Sequence, residues 1–154
     1  MKKWMLLGLF LSGICLCAFA QEKKISTGLG AEWNMASRHD FAGGAVLNFL
    51  YNLPGSTSLG LSFTASMNFN NIYVLEPAFL ARQYFLQDKH SGFFVQFDVG
   101  AFIAFEEKGT TPMIKSGLGS GYRLPLGSFF YIEPYGRAGY PFAFGLGAMA
   151  GICF

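Results

Sequence analysis

The feature that most constrains this chain is the alternation that runs through its last stretch, Phe142 to Phe154. Phe142, Phe144, Leu146, Ala148, Ala150, Ile152 and Phe154 share one parity and are all apolar. Ala143, Gly145, Gly147, Met149, Gly151 and Cys153 share the other, and most are small. A period of two means an extended strand with two unlike faces. The stretch carries no exposed polar face to balance the apolar one, so the apolar face needs a core or a lipid to cover it.

The same period recurs along the chain, interrupted by short polar turns. It predicts strands at Lys24–Met35, Phe41–Asn52, Ser58–Phe69, Ile72–Phe85, Gly92–Phe105, Met113–Leu124, Phe129–Gly139 and Phe142–Phe154. Between them lie Ser37-Arg38-His39-Asp40, Asn52-Leu53-Pro54-Gly55-Ser56, Asn70-Asn71, Gln87-Asp88-Lys89-His90-Ser91, Glu106-Glu107-Lys108-Gly109, Pro125-Leu126-Gly127-Ser128 and Gly139-Tyr140-Pro141, all rich in turn residues. Pro77 and Pro134 each follow a glutamate within a strand, and a β-bulge is expected at both. Strand five carries Phe93, Val95, Phe97, Val99, Ala101, Ile103 and Phe105 on a single face.

Composition decides how eight such strands can be arranged. The chain has 20 Gly and 18 Phe but only 13% charged residues. After the first segment there is no apolar run of the roughly 20 residues that a membrane helix needs. Within lipid, only helices and closed barrels satisfy every backbone N–H and C=O. The expected fold is therefore all-β: an eight-stranded, antiparallel, up-and-down transmembrane β-barrel. An even strand number brings both chain ends to one side of the membrane. Tyr51, Tyr122 and Phe154 are expected at that edge, and Trp33, Phe69, Tyr73, Phe105 and Tyr140 at the other, as aromatic girdles.

Residues 1–20 form the expected cleaved signal peptide, with residues 21–154 as the barrel domain. Lys2 and Lys3 supply the positive start, Trp4 to Cys17 the apolar core, and Ala18-Phe19-Ala20 the small-residue cleavage site. The apolar run is short for an anchor helix, and Ile14 and Leu16 before the two cysteines do not suit a lipobox. Loss of Lys2 and Lys3 lowers Lys+Arg from 11 to 9, equal to the 9 Asp+Glu. No basic surplus then points to nucleic acid. Cys153 is left alone, so no internal disulfide is expected.

The polar parity of the strands holds the candidate functional residues. Glu32, Glu76, Asp98 and Glu133 fall on the inward face, with Arg82, Lys115, Arg123 and Arg137. An eight-stranded barrel is just wide enough for side chains to fill it. Four acids and four bases are therefore expected as a neutralising network, with Arg82 meeting Asp98 and Arg123 meeting Glu133 across adjacent strands. Catalytic constellations are thin. His39 and His90 lie in connections at opposite edges, neither facing a nucleophile in the expected topology. Two lone histidines and one cysteine lack metal-ligand spacing. No cofactor and no enzymatic activity are expected.

With its strands, leader and terminal Phe placed, the chain resembles the small outer-membrane β-barrel proteins of the OmpX, OmpW and OmpA-transmembrane-domain type. The resemblance covers Lys24 to Phe154 and rests on the strand pattern and the ending Gly-Ile-Cys-Phe. It implies residence in a bacterial outer membrane, contact with outer-membrane lipids, insertion by the barrel-assembly machinery with Ile152 and Phe154 as the assembly signal, and a monomer. The expected outer loops, near Arg38, Asn70, Lys108 and Tyr140, are shorter than those of adhesive members. A structural or poorly conducting, porin-like role follows. Two other readings stand beside it. One is a narrow channel for small hydrophobic solutes, suggested by Leu50, Leu80, Phe94, Phe102 and Tyr135 on the inward parity. The other is a secreted soluble barrel with its apolar face turned inward around an apolar ligand.

Overall fold

A computed structural model describes residues 24–36, 41–68, 72–85, 90–106 and 109–154. The expected signal peptide, His39, Phe69 and the turns at Ser37–Asp40 and Asn70-Asn71 lie outside them. Eight strands follow one another: β1 (Ile25–Ala36), β2 (Phe41–Asn52), β3 (Thr57–Asn68), β4 (Tyr73–Phe85), β5 (Gly92–Glu106), β6 (Gly109–Leu126), β7 (Phe130–Tyr140) and β8 (Phe142–Cys153). Each is antiparallel to its neighbour, and β8 returns to β1, so the sheet is a closed up-and-down barrel. The seam is sealed by backbone bonds from Ile25 N to Phe154 O (3.0 Å) and from Phe154 N to Ile25 O (2.8 Å). Closure removes the unpaired edges that a sheet of this apolarity would otherwise expose.

The two parities segregate cleanly. Along β3, Leu59, Leu61, Phe63 and Met67 point out while Ser58, Ser62, Thr64 and Ser66 are buried. On β4, Phe79 is 71% exposed and its neighbours Ala78 and Leu80 are buried. The apolar set is on the outside of every strand, Phe142 excepted, which overturns the soluble-carrier arrangement. Exposed Trp33, Tyr73, Phe105 and Tyr140 ring one end of the barrel. Tyr51, Phe85, Phe93, Phe129 and Phe130 ring the other, with Tyr122 and Phe154 only half-exposed there.

Four details depart from the sequence reading. Phe142 does not share the outward face of β8; it is buried. The register between β1 and β8 shifts at Met35/Ala36, where Met35 pairs Phe144 and Ala36 pairs Phe142. The extra residue, Ala143, inverts the parity and turns Phe142 into the lumen. Conversely, no bulge forms at Pro77 or Pro134. Pro77 stays in register opposite Phe63, and β4–β5 pairing resumes without slip from Leu75↔Ile103 to Ala78↔Gly100. Pro134 likewise pairs Ala148, and β6–β7 keeps its register from Gly121↔Tyr135 to Leu124↔Ile132. Each proline lacks an N–H, and the sheet accommodates it by a gap in one ladder. Strand β6 also begins at Gly109, well before Met113. Its first residues pair only with β5, since pairing to β7 begins at Ser116. Pro112 is tolerated there because that edge has no partner strand to receive an N–H. At its other end β6 runs through Pro125 to Leu126, and the turn is confined to Gly127–Phe129, with Gly127 at φ 76°.

Candidate functional site

All eight charged residues singled out in the sequence lie in the lumen and are buried. They do not form one network. They divide into two clusters at different heights, and the division is unequal in charge.

The first cluster lies toward the end where Ile25 and Phe154 meet. Glu133 of β7 accepts from two guanidiniums. Arg82 of β4 donates from Nη1 to both carboxylate oxygens (2.8 and 2.9 Å). Arg123 of β6 donates from Nε to Oε1. Arg82 also donates to Gln96 Oε1 (2.8 Å) and to the Tyr84 hydroxyl (3.2 Å). Arg123 Nη1 reaches Ser26 Oγ (3.1 Å) on β1 and the His90 carbonyl (3.4 Å). Two cations thus share one acid. The Arg123–Glu133 pairing is as expected. Arg82–Asp98 is not formed: the register places Gln96, not Asp98, opposite Arg82, and Asp98 opposite Leu80.

The second cluster lies toward the other end. Arg137 of β7 donates to Glu32 of β1, and to Glu76 of β4 (2.9 Å). Lys115 of β6 stands 2.8 Å from Glu76 and 3.3 Å from Asp98 of β5. Arg137 Nη1 is 3.9 Å from the same aspartate oxygen. Tyr135 adds a hydroxyl donor to Glu32 (2.7 Å). Here two cations serve three acids.

Aromatic faces hold the arginines flat. The guanidinium carbon of Arg82 lies 3.9 Å from the Phe94 ring centroid, Arg123 4.0 Å from Tyr131, and Arg137 3.9 Å from Phe142. Stacking of this kind suits a planar, weakly hydrated cation in a dry interior. The charge pattern alone does not single out Tyr84, Gln96, Tyr131 or Phe142. The first three sit on the inward parity and are legible from it, as is Tyr135; Phe142 is hidden by the bulge. Leu50, Leu80, Phe94 and Tyr135 are buried, and Phe102 is half-buried. They do not line an apolar conduit: Phe94 and Tyr135 are spent on Arg82 and Glu32.

Between the clusters, Val46, Met149 and Tyr135 close the axis with Asn48, whose Nδ2 lies 3.6 Å from the Met149 sulfur. The cavity left on the axis is lined from all eight strands and holds about 10 Å³. That is close to the minimum for a single water, and too little for a file of them.

At the first end, His90 contradicts one expectation. Its Nδ1 lies 3.2 Å from Ser58 Oγ, so a histidine does face a serine. Ser58 is fully buried and its hydroxyl donates to Asn52 Oδ1 (2.8 Å). A serine whose proton is committed and whose oxygen no substrate can reach is a structural bridge, not a nucleophile. Among the described residues no group of three His, Cys, Asp or Glu is disposed to hold a metal ion.

The fold and lumen together define a class: a small eight-stranded barrel, apolar outside, charged inside and closed along its axis. No protein-family model and no curated protein matches the chain. Solved structures do match it. The N-terminal β-barrel domain of Pseudomonas aeruginosa OprF superposes with a TM-score of 0.58 at 15% identity, covering 84% of this chain and 97% of that one. Neisserial surface protein A gives 0.61 at 11%, covering 84% and 96%. A de novo designed transmembrane β-barrel gives 0.53 at 10%, covering 85% and 98%. At these identities the likeness is one of fold.

Proposed function

We propose that this protein is an integral outer-membrane barrel, exported by its signal peptide, with a structural, non-enzymatic role and a lumen closed to solutes. Its exterior has the chemistry of a lipid-facing surface: large apolar residues between two aromatic rings, with every strand charge of the two clusters turned inward. Its lipids are then its principal partners, as a monomer, and the barrel-assembly machinery inserts it by way of Ile152 and Phe154. The observation that carries the closed-lumen reading is the axial cavity of about 10 Å³.

The test is planar-bilayer recording of the refolded protein, after membrane fractionation and a comparison of gel mobility with and without boiling. A heat-modifiable membrane protein without conductance steps is the expected result. Discrete steps that change with Glu76→Ala or Arg82→Ala would replace this reading with a narrow channel. Recovery in the soluble periplasm would end the membrane reading altogether.

A further inference from the structure

We propose that the mouth of the barrel beside Arg123 binds a phosphate group. The first cluster carries an unequal charge count. Arg82 and Arg123 are both buried, and among the described residues Glu133 is the one acid that either contacts. Among the described residues one positive charge is left without a counter-ion in a desolvated site, an arrangement that an anion relieves.

Arg123 borders the open space at this mouth. The Nε and Nη1 of Arg123 are engaged, by Glu133 and by Ser26 and the His90 carbonyl. Its Nη2 is buried and has no hydrogen-bond partner. Arg123 lines a cavity of about 230 Å³ at this mouth, together with His90, Ser128, Tyr131 and Phe130. An unsatisfied guanidinium nitrogen, a surplus positive charge and an adjoining cavity converge on one ligand chemistry. Arginine's fork of N–H donors suits the oxygens of a phosphate.

The surroundings suggest two sources for that group. Phe129 and Phe130, on the rim, are 54% and 63% exposed on the outer surface of the barrel. The cavity therefore opens beside the aromatic ring at the membrane edge, within reach of a phospholipid headgroup as well as of free phosphate.

The experiment uses the folded protein in octyl glucoside micelles, a detergent without phosphate. Inorganic phosphate and dihexanoyl phosphatidylglycerol are titrated separately. The readouts are the amide shifts of Gly127 and Ser128 and the Nε–H resonance of Arg123. Saturable shifts are expected. Binding of the lipid at least tenfold tighter than inorganic phosphate assigns the headgroup as source, and the reverse order assigns free phosphate. Two variants separate binding from folding. Ser128→Glu adds a negative charge on the exposed turn without touching the buried pairs. Arg123→Met leaves Arg82 and Glu133 as a balanced pair. Each is expected to weaken the tighter probe at least tenfold while retaining the folded gel mobility. Absence of saturable shifts with both probes, or shifts that neither variant alters, would overturn the site.

Discussion

Glu133 shows how much a single buried residue can carry. Its carboxylate is the shared acceptor for Arg82 and Arg123, and all three are almost completely buried. Glu133→Gln leaves two desolvated guanidiniums facing a neutral amide. Breaking a buried pair from one side costs about 3–5 kcal/mol, because the abandoned charge cannot be rehydrated. Urea unfolding in micelles, followed by loss of the fast-migrating gel band, should register a loss of that size. A change well under 1 kcal/mol would mean that water reaches the cluster. That all eight charges face the lumen was legible from parity alone. So was Arg123 meeting Glu133, directly across β6 and β7; the other pairings were not, because they follow the stagger of the strands: Arg82 passes over its neighbour strand β5 to find Glu133 on β7.

Each strand is a two-faced element, and its lipid face is graded by depth. Phe79 lies near the middle of β4, opposite Leu61 and Val99, whereas Tyr51 lies at the aromatic rim. Phe79→Arg is expected to destabilise the barrel by about 2–4 kcal/mol in phospholipid bilayers, and Tyr51→Arg by about 0–1 kcal/mol. Equal costs in a urea titration from vesicles would mean that the two sites do not differ in depth. The inward face has its own demand, for small residues where strands cross closely. A Cβ at Gly60 would overlap the backbone of Phe49 and Leu50 on β2. Alternation identifies such a glycine as inward-facing, but only the coiling of the closed sheet explains why nothing larger fits. The same closeness of strands places the two Glu-Pro steps: a local rule suggested bulges, and the neighbouring ladders held the register instead.

For the molecule as a whole, the seam between β8 and β1 is what makes it a barrel. The final residues serve two purposes that an experiment can separate. Ile152 and Phe154 supply backbone to the closing ladder, and their side chains are proposed to be read during assembly. Phe154→Ala keeps the backbone bonds. It is expected to lower the heat-modifiable fraction several-fold in cells while leaving refolding yield in micelles unchanged. An equal loss in both settings would make the residue a packing element rather than a signal.

The sequence by itself determined the number of strands, nearly all of their boundaries and which face of each meets lipid. These follow from a period of two, from turn chemistry and from the requirement that backbone in lipid be fully bonded. Only the tertiary structure decided the pairings beyond Arg123–Glu133, the division of the charges into two clusters of opposite excess, and the inward turn of Phe142. Those depend on how far each strand is shifted against the next around a closed circle. A single bulge at the top of β8 reverses one parity, and the stagger places residues from distant strands at one height. Neither quantity is written in any strand alone.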